Sequence, residues 1–142
     1  MLAKHEHDLL AARGARLREV RRELLRQQPG IAQRWFQGPE GTDLFLWYDD
    51  RGGLVQIQLT FARRAVEWTE AAGVSTGRLV SFDPLRPLSD QARLVLDASA
   101  DAQALEQAGA VLEEANVDPV TLALVRSRLG LAAAVMNAEV QP

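Results

Sequence analysis

A chain of 142 residues, 47% hydrophobic and 25% charged, has the length and composition of one globular domain (1–142) with a core of its own. It contains no cysteine, which excludes disulfides, thiolate metal sites and cysteine nucleophiles, and no apolar run approaches the ~20 residues of a membrane span. The net charge of −3 gives no general attraction to nucleic acid, but it is unevenly placed: residues 1–28 carry seven Lys/Arg against four Asp/Glu, residues 99–142 two against six. Ends of opposite sign can pack on each other, within one chain or across a dimer. The stretch "MLAKHEHDLLAARGAR" lacks the unbroken apolar core of a signal peptide, so a cytoplasmic protein is expected.

From about Lys4 to Gln28 the spacing predicts a helix, with Leu10, Leu17, Val20 and Leu24 on one face and "QQPG" as its stop. Its opposite face aligns Arg18, Arg22 and Arg26 at i, i+4, i+8, a row that could grip phosphates or an acidic partner. Glu19 and Glu23 answer half of that charge locally, which favours a solvated face. Arg13 falls within the apolar stripe and needs either to snorkel or to meet an acidic group.

Between Ile31 and Phe82 the period changes to two, and turn residues separate strands predicted at 31–37, 43–48, 54–61, 64–69 and 78–82. The "DDRGG" segment suits a type I turn over Asp49–Gly52 with Gly52 left-handed, a three-residue hairpin loop that pairs Tyr48 with Leu54 and Trp47 with Val55. Continued along the strands, and through an even-length turn at "ARRA", that register gathers Phe45, Trp47, Val55, Ile57, Leu59, Phe61, Val66 and Trp68 on the core face. The second face receives Leu44, Leu46, Tyr48 and Leu54 beside Gln56, Gln58, Thr60, Glu67 and Thr69. It is half apolar, and either the C-terminal helices or another molecule must cover it.

"DPLRPLSD" separates the sheet from a helical end. "QARLVLD" reads equally as a strand or a helical turn. A helix is expected over Asp101 to Ala115, and "NVDPV" marks another, with Asp118 as N-cap and Pro119 at the first helical position, running to at least Leu129 with Gly130 as its end. The last twelve residues are a helical extension or a loose tail.

No motif carries catalysis. His5 and His7, two apart, point to different sides of a helix and have no third ligand at metal-site spacing. Asp49 and Asp50 are explained by turn chemistry, and Ser75, Ser81 and Ser89 sit in no nucleophile context. Trp47 and Trp68 are placed in the core by the register, and the face of Trp35 is undecided.

The expectation is an α+β domain: an N-terminal helix on a four- to five-stranded antiparallel meander, followed by two C-terminal helices. By elimination the function expected is a non-enzymatic protein-interaction module (adaptor, chaperone-like or regulatory subunit), a homodimer or part of a complex, without cofactor or metal. Leu44, Leu46, Tyr48 and Leu54 are the expected protein-binding residues. The alternatives are a ligand or catalytic pocket using Tyr48, Gln56, Gln58 and Glu67, and nucleic-acid binding through Arg18, Arg22 and Arg26.

Overall fold

The structure is a computed structural model that describes residues 2–25, 29–80 and 93–131. Helix α1 (Lys4–Ala15) leads into a two-residue strand β1 (Arg18–Glu19) and a 3-10 turn at Arg22–Leu24. Six longer strands follow: β2 (Ala32–Gln37), β3 (Asp43–Tyr48), β4 (Leu54–Phe61), β5 (Arg64–Thr69), β6 (Gly73–Val80) and β7 (Arg93–Leu96). Two helices end the described chain, α2 (Ala102–Glu113) and α3 (Pro119–Arg128). The fold is α+β: one antiparallel sheet in the order β1 to β7, each strand beside its neighbour in sequence. It has seven described strands rather than four or five. One extra strand comes from residues expected to be helical, and another from the ambiguous "QARLVLD".

The first helix is shorter than its spacing predicts. After Gly14 and Ala15 the chain leaves the helix and joins the sheet, where Val20 N–H donates to the Trp35 carbonyl at 2.8 Å. Leu17 is then buried as part of the turn into β1, whereas Leu24 is 75% exposed, so the apparent stripe beyond Leu10 is a coincidence of spacing. Arg18 and Arg22 consequently do not share a helix face: one is on β1, the other in the 3-10 turn. Arg26 lies outside the described residues. Arg13 meets Glu40, in the β2–β3 loop, at 2.6 Å.

The β3–β4 hairpin turns as its residues dictate. Gly52 N–H donates to the Asp49 carbonyl at 3.1 Å, Gly52 has φ of +80°, and Tyr48 faces Leu54. The Asp49 carboxylate accepts from the amides of Arg51 (3.0 Å) and Gly53 (2.8 Å), which gives that aspartate a structural role. One step further on, the register shifts: Trp47 faces Gln56, not Val55, leaving Val55 as the extra residue of a bulge.

That single residue exchanges the two faces of β3 relative to β4. Leu44 pairs with Leu59 and Leu46 with Ile57, while Phe45 pairs with Gln58. The core face therefore carries Phe36, Leu44, Leu46, Leu54, Ile57, Leu59, Phe61 and Val66, joined to Leu10 and Leu17 and to the inner sides of α2 and α3 in one cluster. Placing Leu44, Leu46 and Leu54 on a partner-binding surface is thus corrected: all three are buried in this core, and Tyr48 packs partly against it. Phe45 and Trp47, expected inside, lie on the other face. Ile57, Leu59, Phe61, Val66 and Trp68, beyond the bulge, share the core face as their alternation implies.

The helices pack together over that face, with polar contacts joining the first helix to the second. His7 Nε2 contacts the Glu113 carboxylate, Gln107 Nε2 donates to Glu6 at 3.0 Å, and the Leu2 amide donates to Glu106 at 3.2 Å. Helix α2 starts at Asp101, whose carboxylate accepts from the Gln103 amide and pairs with Arg64. Helix α3 starts as read from the sequence: Asp118 caps Thr121, Pro119 is the first helical residue, and Gly130 follows the end with φ of +76°.

Candidate functional site: the aromatic sheet face

Residues directly opposite one another in an antiparallel sheet share a face. The pairings therefore place Gln33, Trp35 and Gln37 of β2, Asp43, Phe45 and Trp47 of β3, Gln56, Gln58 and Thr60 of β4, and Glu67 and Thr69 of β5 together on the face away from the core. None belongs to the hydrophobic cluster that joins sheet to helices.

The bulge at Val55 brings the three aromatics into a column. Trp35 and Phe45, a cross-strand pair, stack with ring centroids 5.5 Å apart and planes inclined by 15°, and Phe45 stacks on Trp47 at 5.9 Å and 22°. Stacking covers both faces of the Phe45 ring and one face of each tryptophan, and all three side chains are half-buried. Trp35 Nε1–H donates to Asp43 Oδ1 at 2.9 Å, so the column is tied to a carboxylate at its flank.

Burial raises the Asp43 pKa above the ordinary carboxylate value, against the opposing effect of the Trp35 hydrogen bond, and burial alone raises that of Glu67. Both carboxylates thus stand in a poorly solvated setting that favours the approach of a cation or a donor. Strands β2 to β6 contribute no Lys or Arg to this face; among the described strand residues only Arg18, opposite Gln37 on the edge strand, shares it. The result is a surface of aromatic rings and carboxamides with two acids.

Of the residues expected at a ligand pocket, Gln56, Gln58 and Glu67 are brought together on this face, and Tyr48 is not. Tyr48 instead lines an open cleft of about 460 Å³ with Arg22, Gln33, Arg34, Asp49 and Thr121. Arg34 is committed there: Nε and Nη2 donate to both oxygens of Glu19 (2.8 and 2.9 Å), Nη2 to Asp118 (2.8 Å) and Nη1 to Thr121 Oγ1 (2.9 Å), and its guanidinium lies 4.9 Å from the Phe36 ring centroid. That network joins β1, β2 and the start of α3, and nothing in the spacing of these residues announces it. The Glu19 hydrogen bonds, with those of Asp118, raise the Arg34 pKa, and Arg34 in turn lowers that of Glu19.

Among the described residues no three His, Asp or Glu side chains are grouped to hold a metal ion, and no helix is long and apolar enough to cross a membrane. The aromatic column escaped sequence reasoning because its signal, alternation along β2 and β3, depends on a bulge in β4. No family model, curated protein or solved structure matches this chain.

Proposed function

We propose that this chain is a small protein-interaction module, of the adaptor, chaperone-like or regulatory-subunit kind, and that it binds through the aromatic face of its sheet. The observation that supports this reading is the Trp35–Phe45–Trp47 column, half-buried and outside the core. Clustered apolar surface rimmed by polar groups is characteristic of a recognition site, and aromatic side chains are the commonest anchors of one. The rings suit aliphatic side chains, the glutamines can donate to and accept from a peptide backbone, and Asp43 with Glu67 favours basic residues. The ligand that fits is an apolar segment bearing Lys or Arg.

Titration of the intact protein with a peptide alternating leucine and arginine, followed by tryptophan fluorescence, tests this. Saturable binding that the leucine–glutamate counterpart does not show, and that Trp47→Ser removes while the circular dichroism is retained, is the expected result. Equal binding of both peptides, or none up to about 1 mM, a weak limit for specific recognition, overturns it.

A further inference from the structure

The two edges of the sheet are built differently. On one side β1 is two residues long, both charged, and Glu19 is held by Arg34: a short, charged edge of the kind that discourages pairing. On the other side β7 reads Arg-Leu-Val-Leu, with Val95 37% and Leu96 54% exposed, and no described strand lies beyond it. It has no proline, no bulge and no charge at its centre.

We propose that β7 is a self-pairing edge, through which two copies of this chain join their sheets antiparallel about a two-fold axis at Val95. The backbone phase fits this register. The Asp97 amide donates to the Thr76 carbonyl at 2.8 Å, which makes Thr76 and Asp97 a hydrogen-bonded pair. Such pairs alternate along an antiparallel ladder, so Val95, opposite Arg78, also turns its polar groups toward β6. Leu94 and Leu96, opposite Leu79 and Gly77, direct theirs outward. An axis at Val95 sets Leu94 of one copy against Leu96 of the other, twice, and these are the residues with outward donors and acceptors; four backbone hydrogen bonds close the contact.

The side chains agree with the backbone. In the same register Arg93 of each copy faces Asp97 of the other, in a non-hydrogen-bonded position where opposed side chains are closest, and this contact adds to bonds made within each chain, such as that from Thr76 Oγ1 to the Asp97 carboxylate at 2.6 Å. Val95 meets itself on the core side of the sheet, and the four leucines meet on the aromatic side. Shifting the axis to Leu94 sets Arg93 against Val95, and shifting it to Leu96 sets Val95 against Asp97. Only the axis at Val95 matches charge with opposite charge and apolar with apolar. A contact this short makes a concentration-dependent dimer rather than an obligate one. It is independent of what the aromatic face binds, but it would place two such faces on one continuous surface.

Because the chain has no cysteine, cross-linking reports the register directly. Mild oxidation should link Val95→Cys into a covalent dimer at least ten-fold faster than Val120→Cys, a control at an 82% exposed site on α3. Sedimentation of the wild type should show a monomer–dimer equilibrium. Leu96→Pro removes an outward amide without breaking a bond to β6, so it should sediment as a monomer with unchanged circular dichroism. A wild type that stays monomeric at about 0.5 mM, where even weak specific contacts form, overturns the proposal. So does a Val95→Cys that links no faster than the control, or a Leu96→Pro that still dimerises.

Discussion

Gly14 of α1 passes so close to Val111 of α2 that a Cβ built on the glycine would lie 1.7 Å from the Val111 carbonyl oxygen. Here the two helix backbones touch directly, and the neighbouring bonds depend on it: the Gly14 carbonyl accepts from Leu17 at 3.1 Å and from Asn116 at 3.0 Å, while Asn116 Nδ2 donates to the Leu17 carbonyl at 2.7 Å. The glycine is required by proximity, since a methyl group has nowhere to go but into backbone. Gly14→Ala should therefore destabilise the protein by about 3 kcal/mol through forced separation of α1 from α2, despite alanine's better helix propensity. Urea unfolding checks this, and a midpoint at or above that of the wild type would contradict the close crossing.

The Arg34 network predicts a particular response to acid. Hydrogen bonds from Thr121, aided by those from Arg34, hold the Asp118 pKa at about 2, below its ordinary value of 3.8, and Glu19 is lowered by Arg34 in the same direction. A carboxylate whose folded pKa is depressed contributes stability that is present above its unfolded pKa and is lost as the pH falls through the folded one. Asp118 is 48% exposed, so solvent screening reduces its contribution to about 1 kcal/mol. The wild type should thus lose more stability between pH 6 and pH 2 than Asp118→Asn does, as measured by denaturant midpoints across that range.

Arg34 itself is the more demanding position. Its side chain is only 15% exposed and bonds two carboxylates and a hydroxyl in a planar fork. Arg34→Lys keeps the charge but cannot satisfy Glu19, Asp118 and Thr121 together, so it should cost nearly as much as Arg34→Ala, on the order of 3 kcal/mol. Full recovery of stability by the lysine would mean that charge alone holds β1 and α3 against β2.

Much of this architecture was legible in the sequence. The bounds of β3, β4 and β5 follow from two-residue alternation between glycine-bearing or basic turns, and Asp118–Pro119 marks the start of α3 to the residue. What was not legible has physical causes. The Val55 bulge has no residue signature, since valine suits a regular strand as well, yet it decides which face Trp47 occupies. Leu17, Val20 and Leu24 imitate a helical stripe because a spacing of three or four also arises by chance where a chain turns from helix into sheet. Alternation groups the glutamines with Glu67 as the structure does, but that one extra residue makes it place Phe45 and Trp47 on the wrong side of the sheet, and it leaves the face of Trp35 open.

The β4–β5 turn offers a gain of stability. Phe61 faces Arg64, and Ala62 and Arg63 between them both have positive φ, +47° and +63°. This is the two-residue turn whose backbone twist matches a hairpin, and it favours Asn-Gly over side chains with a Cβ that resists the left-handed region. Ala62→Asn with Arg63→Gly should raise stability by about 1 kcal/mol without altering the fold. A fall in thermal midpoint would show that Ala62 or Arg63 makes a contact worth more than the relief of strain.

The register of β3 against β4 can be tested by truncation on its two faces. Leu46 is fully buried opposite Ile57, whereas Trp47, the next residue, lies half-buried at the end of the aromatic column opposite Gln56. Leu46→Ala should cost about 3–5 kcal/mol and leave little folded protein. Trp47→Ala removes a larger side chain but opens no cavity in the core, so it should cost about 1 kcal/mol, the scale of one aromatic stacking pair. Deleting Val55 carries the argument further. The deletion takes out only the extra residue, so Tyr48 stays opposite Leu54 and Trp47 opposite Gln56 in a regular ladder, and the shortened chain should fold with both faces unchanged at a cost of about 1–2 kcal/mol for the lost half-buried valine. If it instead prevents folding, or if Trp47→Ala proves as damaging as Leu46→Ala, the two faces are not arranged as described and the aromatic column is core.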